Sequence, residues 1–140
     1  MNLKINFKNR MLADYLLFAA TALMLVEFIL YMAASRTSFD PNYSAGAIAG
    51  MVIALGLGIA AIILPLRPLA FGQYLFALFA LIHYIASQAN LLANILYGVD
   101  GSTLPAAFFI TIICAVATVG LSLAAGILMS AKRRAAREGV

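Results

Sequence analysis

His83, Ser87, Asn90 and Asn94 stand three and four residues apart inside the otherwise apolar stretch from Gln73 to Gly98. On a helix that spacing aligns the four polar side chains on one face. An imidazole, a hydroxyl and two carboxamides in a row can hydrogen-bond a small solute or hand on a proton. Such groups cannot face lipid tails cheaply, so the stripe is expected to look into a helix bundle, an aqueous crevice or a partner. The deep acid of the chain is Glu27. It lies about 16 residues into the first apolar run, roughly 24 Å of helical rise, and His83 lies about 14 residues into its own, so the two are expected at similar depth. A lone carboxylate in hydrocarbon is costly, whereas a Glu–His pair shares the burden through a hydrogen bond. Two readings follow. Glu27, His83, Ser87, Asn90 and Asn94 form a ligand or proton site reached from outside past the two asparagines. Alternatively, the pair is a structural clamp and the stripe bonds carbonyls and hydroxyls of neighbouring helices.

Other chemistries have fewer residues to work with. A haem or zinc site needs more than one histidine, and the chain has one His and one Cys, Cys114, which sits in an apolar run. No metal, cofactor or intrachain disulfide is therefore expected. The sequence contains no G-x-S-x-G element, phosphate loop or Ser/His/Asp set, so neither enzymatic activity nor a catalytic residue is expected.

The elements that must position these side chains are membrane spans. Of 140 residues, 65% are hydrophobic and 10% charged, and the mean hydropathy is +1.03, outside the range of water-soluble domains. A span needs roughly 20 apolar residues, and the chain offers four such runs, at about 11–34, 46–64, 69–97 and 104–130. Residues 1–140 thus read as a single transmembrane domain, because a domain in water would need on the order of 50 residues outside these runs. The predicted fold is all-α, an integral membrane four-helix up-down bundle.

Nine basic residues against five acidic give a net charge of +4, but they do not suit nucleic acid. Lys4, Lys8 and Arg10 precede the first run, Arg67 lies between the second and third, and Lys132, Arg133, Arg134 and Arg137 follow the fourth. Arg36 alone falls on the other side. This asymmetry predicts a multi-pass protein of the cell membrane with both termini and the Arg67 turn in the cytoplasm, and anionic lipid at the final basic cluster.

In chain order, residues 1–10 are expected either to lie on the inner headgroup surface or to fray as a cationic tail. The first run exceeds the roughly 7–15 apolar residues of a signal peptide and reads as an uncleaved anchor, with Asp14 favoured near its helix N-terminus. Asp40, Pro41 and Asn42 carry turn chemistry, and Phe39 and Tyr43 suit the outer interface. Gly46 and Gly50 form G-x-x-x-G in the second span, and Gly120 and Gly126 stand among small pairs in the fourth; such residues let helices approach closely, within the bundle or between copies. Pro65 ends the second helix and Pro68 suits the start of the third. The third run is long enough to project past the hydrocarbon until Gly98 ends it, and Pro105 fits the first turn of the fourth. Thr111 and Thr118 are expected to bond their own helix carbonyls.

In the segments LIHYIASQANLLANILYGVDGS and SAGAIAGMVIALGLGIAAIIL, and in its layout, the chain resembles a loose group of uncharacterised short four-span bacterial membrane proteins. That resemblance implies no particular activity. It also resembles the small multidrug transporters in having four spans and a membrane-embedded glutamate, here Glu27, in the first. It departs from them in lacking Trp and in its long third span.

Together these features lead to the expectation of a small membrane accessory or scaffold subunit that packs against a larger membrane protein or forms a homo-oligomer through its Gly/Ala faces. The rival expectation is a proton-coupled transporter or ligand-binding membrane protein that uses Glu27 and the polar stripe.

Overall fold

The computed structural model describes residues 2–37, 44–64, 66–98 and 106–139, with side chains described for 12–33, 44–64, 66–98, 106–131, 134 and 137–139. Within these residues every regular element is a helix: α1 (Asn2–Thr37), α2 (Ala45–Ile63), α3 (Arg67–Ser87), α4 (Ala89–Leu96) and α5 (Ala106–Arg137). Apolar runs free of interior proline fold this way because a helix satisfies its own backbone N–H and C=O groups without water. Four segments are long and apolar enough to cross a membrane: Leu12–Ala33, Ala45–Ile63, Arg67–Ser87 and Ala106–Ala131. The chain is thus a multi-pass helical membrane protein.

Each span buries one stripe at three- and four-residue spacing. In α1 the stripe is Leu17, Ala20, Met24, Glu27 and Tyr31; in α2, Ala47, Gly50, Ala54, Gly58 and Ala61. In α3 it is Ala70, Gln73, Ala77, Ala80 and Tyr84, and in α5, Phe108, Thr111, Ala115, Thr118, Ser122 and Ala125. The opposite faces carry exposed aliphatic and aromatic side chains such as Phe18, Ile29, Ile63, Leu75, Ile82 and Ile113. Apolar groups outside and small or polar groups inside is the arrangement expected where lipid is the solvent.

The contacts fall into levels. At one end Tyr31 packs edge-on against Tyr84 (5.6 Å between centroids, 75°), Tyr84 packs against Phe108 (6.0 Å), and the Ser44 N–H donates to the Tyr31 hydroxyl (2.9 Å). Ser44 also caps α2, its hydroxyl accepting from the Ala47 N–H at 3.2 Å. At the other end Phe71 of α3 lies against Gly126 of α5, where a Cβ would come within 3.1 Å of the ring. Leu64 to Leu66 links α2 to α3, and Pro68 sits in the first turn of α3. Pro65 is outside the described residues.

Three expectations change. The third run is not one projecting helix: it breaks at Gln88 (φ −91°, ψ 1°), leaving α3 as the span and α4 as a separate helix of 8 residues. The Tyr84 carbonyl accepts both the Gln88 N–H (3.2 Å) and the Ser87 hydroxyl (2.7 Å), and this local competition tightens the last turn. Gly98, at φ 65°, does terminate α4. Residues 2–10 are helical and continue α1, where the sequence suggested a separate cationic segment. For the same reason Asp14 lies well inside α1, exposed, and too far from the helix N-terminus to benefit from its dipole. The expected turns at Phe39 to Tyr43 and before Pro105 lie outside the described residues.

Candidate functional site

Glu27 is 1% exposed, on the inward stripe of α1 between Met24 and Tyr31. Its Oε2 has no hydrogen-bond partner among the described residues. Cys114 of α5, half-buried, lies within electrostatic range of this carboxyl. Buried polar atoms in folded proteins are almost always paired, because leaving one unpaired costs about 1–3 kcal/mol. An orphan oxygen on a carboxyl in the core therefore needs a physical reason.

A second such group lies deeper toward the Phe71 end. Gln73 is 0% exposed; its Nε2 donates to Thr21 Oγ1 at 3.1 Å, and the Thr21 hydroxyl in turn donates to the Leu17 carbonyl at 2.9 Å. The Gln73 Oε1 has no partner among the described residues. Gly58 makes this arrangement possible. A Cβ at that position would stand 2.5 Å from both Gln73 Nε2 and Thr21 Oγ1, so only glycine lets α2 close over the clasp between α1 and α3.

The fourth span adds a line of buried hydroxyls. Thr111 donates to the Ala107 carbonyl (2.7 Å), Thr118 to Cys114 (2.8 Å) and Ser122 to Thr118 (2.6 Å), in keeping with the usual behaviour of Ser and Thr in membrane helices. The inward stripes of α1, α3 and α5 together thread the bundle with oxygen-bearing side chains: Thr21 and Glu27, Gln73, then Thr111, Thr118 and Ser122.

The structure does not bring the sequence-derived stripe to Glu27. His83 is half-buried, lies 4.2 Å from the Phe79 ring between centroids, and faces α2, where a Cβ on Gly46 would come within 2.8 Å of Nδ1. Among the described residues no hydrogen bond or ion pair joins it to Glu27. Ser87 bonds back to Tyr84, and Asn90 and Asn94 are exposed on α4. The reason is rotational. The buried row on α3 is Gln73, Ala77, Ala80 and Tyr84, and His83 sits one residue off that row, about 100° around the helix. Of the five candidates, Glu27 alone occupies the interior. Gln73 and Thr21 were missed, although Gln73-x3-Ala77-x2-Ala80-x3-Tyr84 offered a signal: a polar residue heading a row of small ones.

Among the glycines chosen for packing, Gly46 and Gly50 lie against α3, at His83 and at Ala80 and Phe79, and Gly126 lies against Phe71. Gly120 is exposed, with nothing within 4 Å of a Cβ placed there. Among the described residues no three of His, Cys, Asp and Glu converge as metal ligands would. The chain matches no protein-family model, no curated protein and no solved structure.

Proposed function

We propose that this chain is a proton-coupled transporter or binder of a small solute, a carrier and not an enzyme, and that Glu27 is the group that takes up and gives up the proton. The observation that carries this reading is the Glu27 carboxyl, 1% exposed in the bundle core with Oε2 unpartnered. An ionisable side chain so placed in a membrane protein is expensive to keep, and such residues mark proton and solute pathways. The site is Glu27 with Gln73 and Thr21, in place of Glu27 with the row from His83 to Asn94.

The bundle is read as up-down, in the cell membrane, with both termini in the cytoplasm. Early residues of α2 meet late residues of α3 (Gly46 with His83) and late meet early (Gly58 with Gln73), which supports antiparallel neighbours. Lys4, Lys8, Arg10, Arg67 and the cluster from Lys132 to Arg137 support the orientation. Arg134 and Arg137 are exposed at the end of α5, where anionic headgroups would meet them.

The test is Glu27→Gln, which keeps shape and removes the titration. In protein reconstituted into vesicles, the wild type should show an infrared carboxyl band that is lost on raising pH, and pH-driven proton uptake; the variant should lack both at equal expression. If the wild type has no such band, or if the variant differs only in thermal stability, Glu27 is a structural clamp.

A second reading, the accessory or scaffold subunit, is supported by Gly56 and Gly120, both exposed with nothing within 4 Å of an added Cβ. Glycine in a helix costs about 1 kcal/mol relative to alanine, and in membranes a helix of another chain offsets this by close approach. A homo-oligomer or stoichiometric membrane partner recovered in mild detergent, and lost in Gly120→Leu, supports it; a wild-type monomer overturns it.

A further inference from the structure

In the bundle interior four hydroxyl donors are committed, and the side-chain atoms left without a partner among the described residues are acceptors. The hydroxyl hydrogens of Thr21, Thr111, Thr118 and Ser122 all go to carbonyls of their own helices. The Gln73 carboxamide donates to Thr21. What remains is acceptor capacity: among the described residues the buried side-chain atoms without a partner are two oxygens, Glu27 Oε2 and Gln73 Oε1, on side chains 1% and 0% exposed. On α1 and α3 the inward positions between them are Met24, Ala77 and Ala80, none of which offers a side-chain donor beyond a C–H.

This one-sidedness selects the guest. An anion, or a neutral molecule that binds through carbonyl groups, would bring more acceptors to a site whose unpartnered atoms, among the described residues, are already acceptors, and each unmet buried acceptor is costly. A metal cation asks for a shell of several oxygens, and two are spare. A compact cation with several N–H groups answers what is missing: it donates to lone oxygens, and its charge is met by the Glu27 carboxylate.

On the reading of Glu27 as the proton-binding group, we propose that the site takes a small N–H-bearing cation, ammonium or a primary alkylammonium ion, in exchange for the Glu27 proton. The carboxyl carries either the proton or the cation, so one leaves as the other enters and the charge of the core is conserved. Gln73 is a second acceptor on the same line. Thr21, to which it is bonded, stands six residues before Glu27 on α1, about 9 Å of rise, which makes Gln73 a separate station and not a second ligand to the same nitrogen.

The experiment uses the full chain in detergent or nanodiscs. Thermal unfolding is followed while ammonium, methylammonium, tetramethylammonium, sodium or potassium chloride is added at constant ionic strength, and proton release is read in weak buffer. Ammonium and methylammonium should raise the midpoint saturably and release one proton per cation bound. Tetramethylammonium, which has the charge but no N–H, and the two alkali ions should do neither. Glu27→Gln should abolish the response, whereas Gln73→Leu, which removes only the separate station, should leave the release of one proton per ammonium bound at Glu27 in place. Equal responses to all five salts, a response to the alkali ions alone, or no response overturns the proposal. The infrared carboxyl band separates the two claims. If the band titrates in the wild type while ammonium does not bind, the cation proposal fails and the proton reading survives; if the band is absent, both fail.

Discussion

Gly58→Ala puts the packing logic of the core to a quantitative test. The added Cβ would lie 2.5 Å from Gln73 Nε2 and from Thr21 Oγ1, a separation real side chains do not adopt, so either α2 moves off or the Gln73 amide swings away from Thr21. Overpacking a tight core typically costs about 1–3 kcal/mol, and a lost buried hydrogen bond adds about 0.5–1.5 kcal/mol. Against this, alanine gains about 1 kcal/mol over glycine in helix propensity. Gly56→Ala supplies the matched control: it is the same exchange, two residues away on the same helix, with nothing within 4 Å of the new Cβ. Propensity cancels between the two variants, leaving roughly 1.5–4.5 kcal/mol as the stability difference, with Gly58→Ala the weaker. Reversible unfolding in mixed micelles, monitored by circular dichroism at a series of denaturing-detergent fractions, measures that difference directly. If the two variants unfold within about 0.5 kcal/mol of each other, α2 does not close over the Gln73 clasp as described, because unconnected sites vary by no more than that.

Three further outcomes are expected. Asn90→Ala with Asn94→Ala, at exposed positions of α4, should shift stability by no more than about 0.5 kcal/mol each and leave the Glu27 carboxyl band unchanged, measured by unfolding and infrared titration. Tyr31→Phe removes the hydroxyl that accepts the Ser44 N–H at 2.9 Å; it should cost about 0.5–1.5 kcal/mol and speed hydrogen exchange at the Ser44 amide. Gly46→Ala, whose Cβ would stand 2.8 Å from His83 Nδ1, should displace the imidazole from Phe79 at a cost of about 1–3 kcal/mol, while His83→Ala in the same background should recover most of that loss by freeing the space.

Taken alone, the sequence determined that this chain has four segments long and apolar enough to cross a membrane, and roughly where they lie. Apolar length is a local property, and Leu12–Ala33, Ala45–Ile63 and Ala106–Ala131 fall within two residues of the expected spans. It also supplied the termination of α4 at Gly98, because a positive φ is a demand that glycine meets by itself. Rotation about each helix axis was another matter. In a water-soluble bundle the polar face points out and hydropathy fixes the rotation, but here lipid and interior are both apolar, so a row such as His83 and Ser87 has no unique direction in which to point. Helix packing made the choice. Gly46, Gly50 and Gly58 drew α2 against α3, and that contact turned Gln73, Ala77, Ala80 and Tyr84 to the centre and His83 to the side. Glu27 reaches the core for the same reason, carried inward by Leu17, Ala20, Met24 and Tyr31 on its stripe. The residue types that can do chemistry were visible one by one in the sequence, while their company depended on close approaches between helices distant in the chain, which only the folded bundle decides.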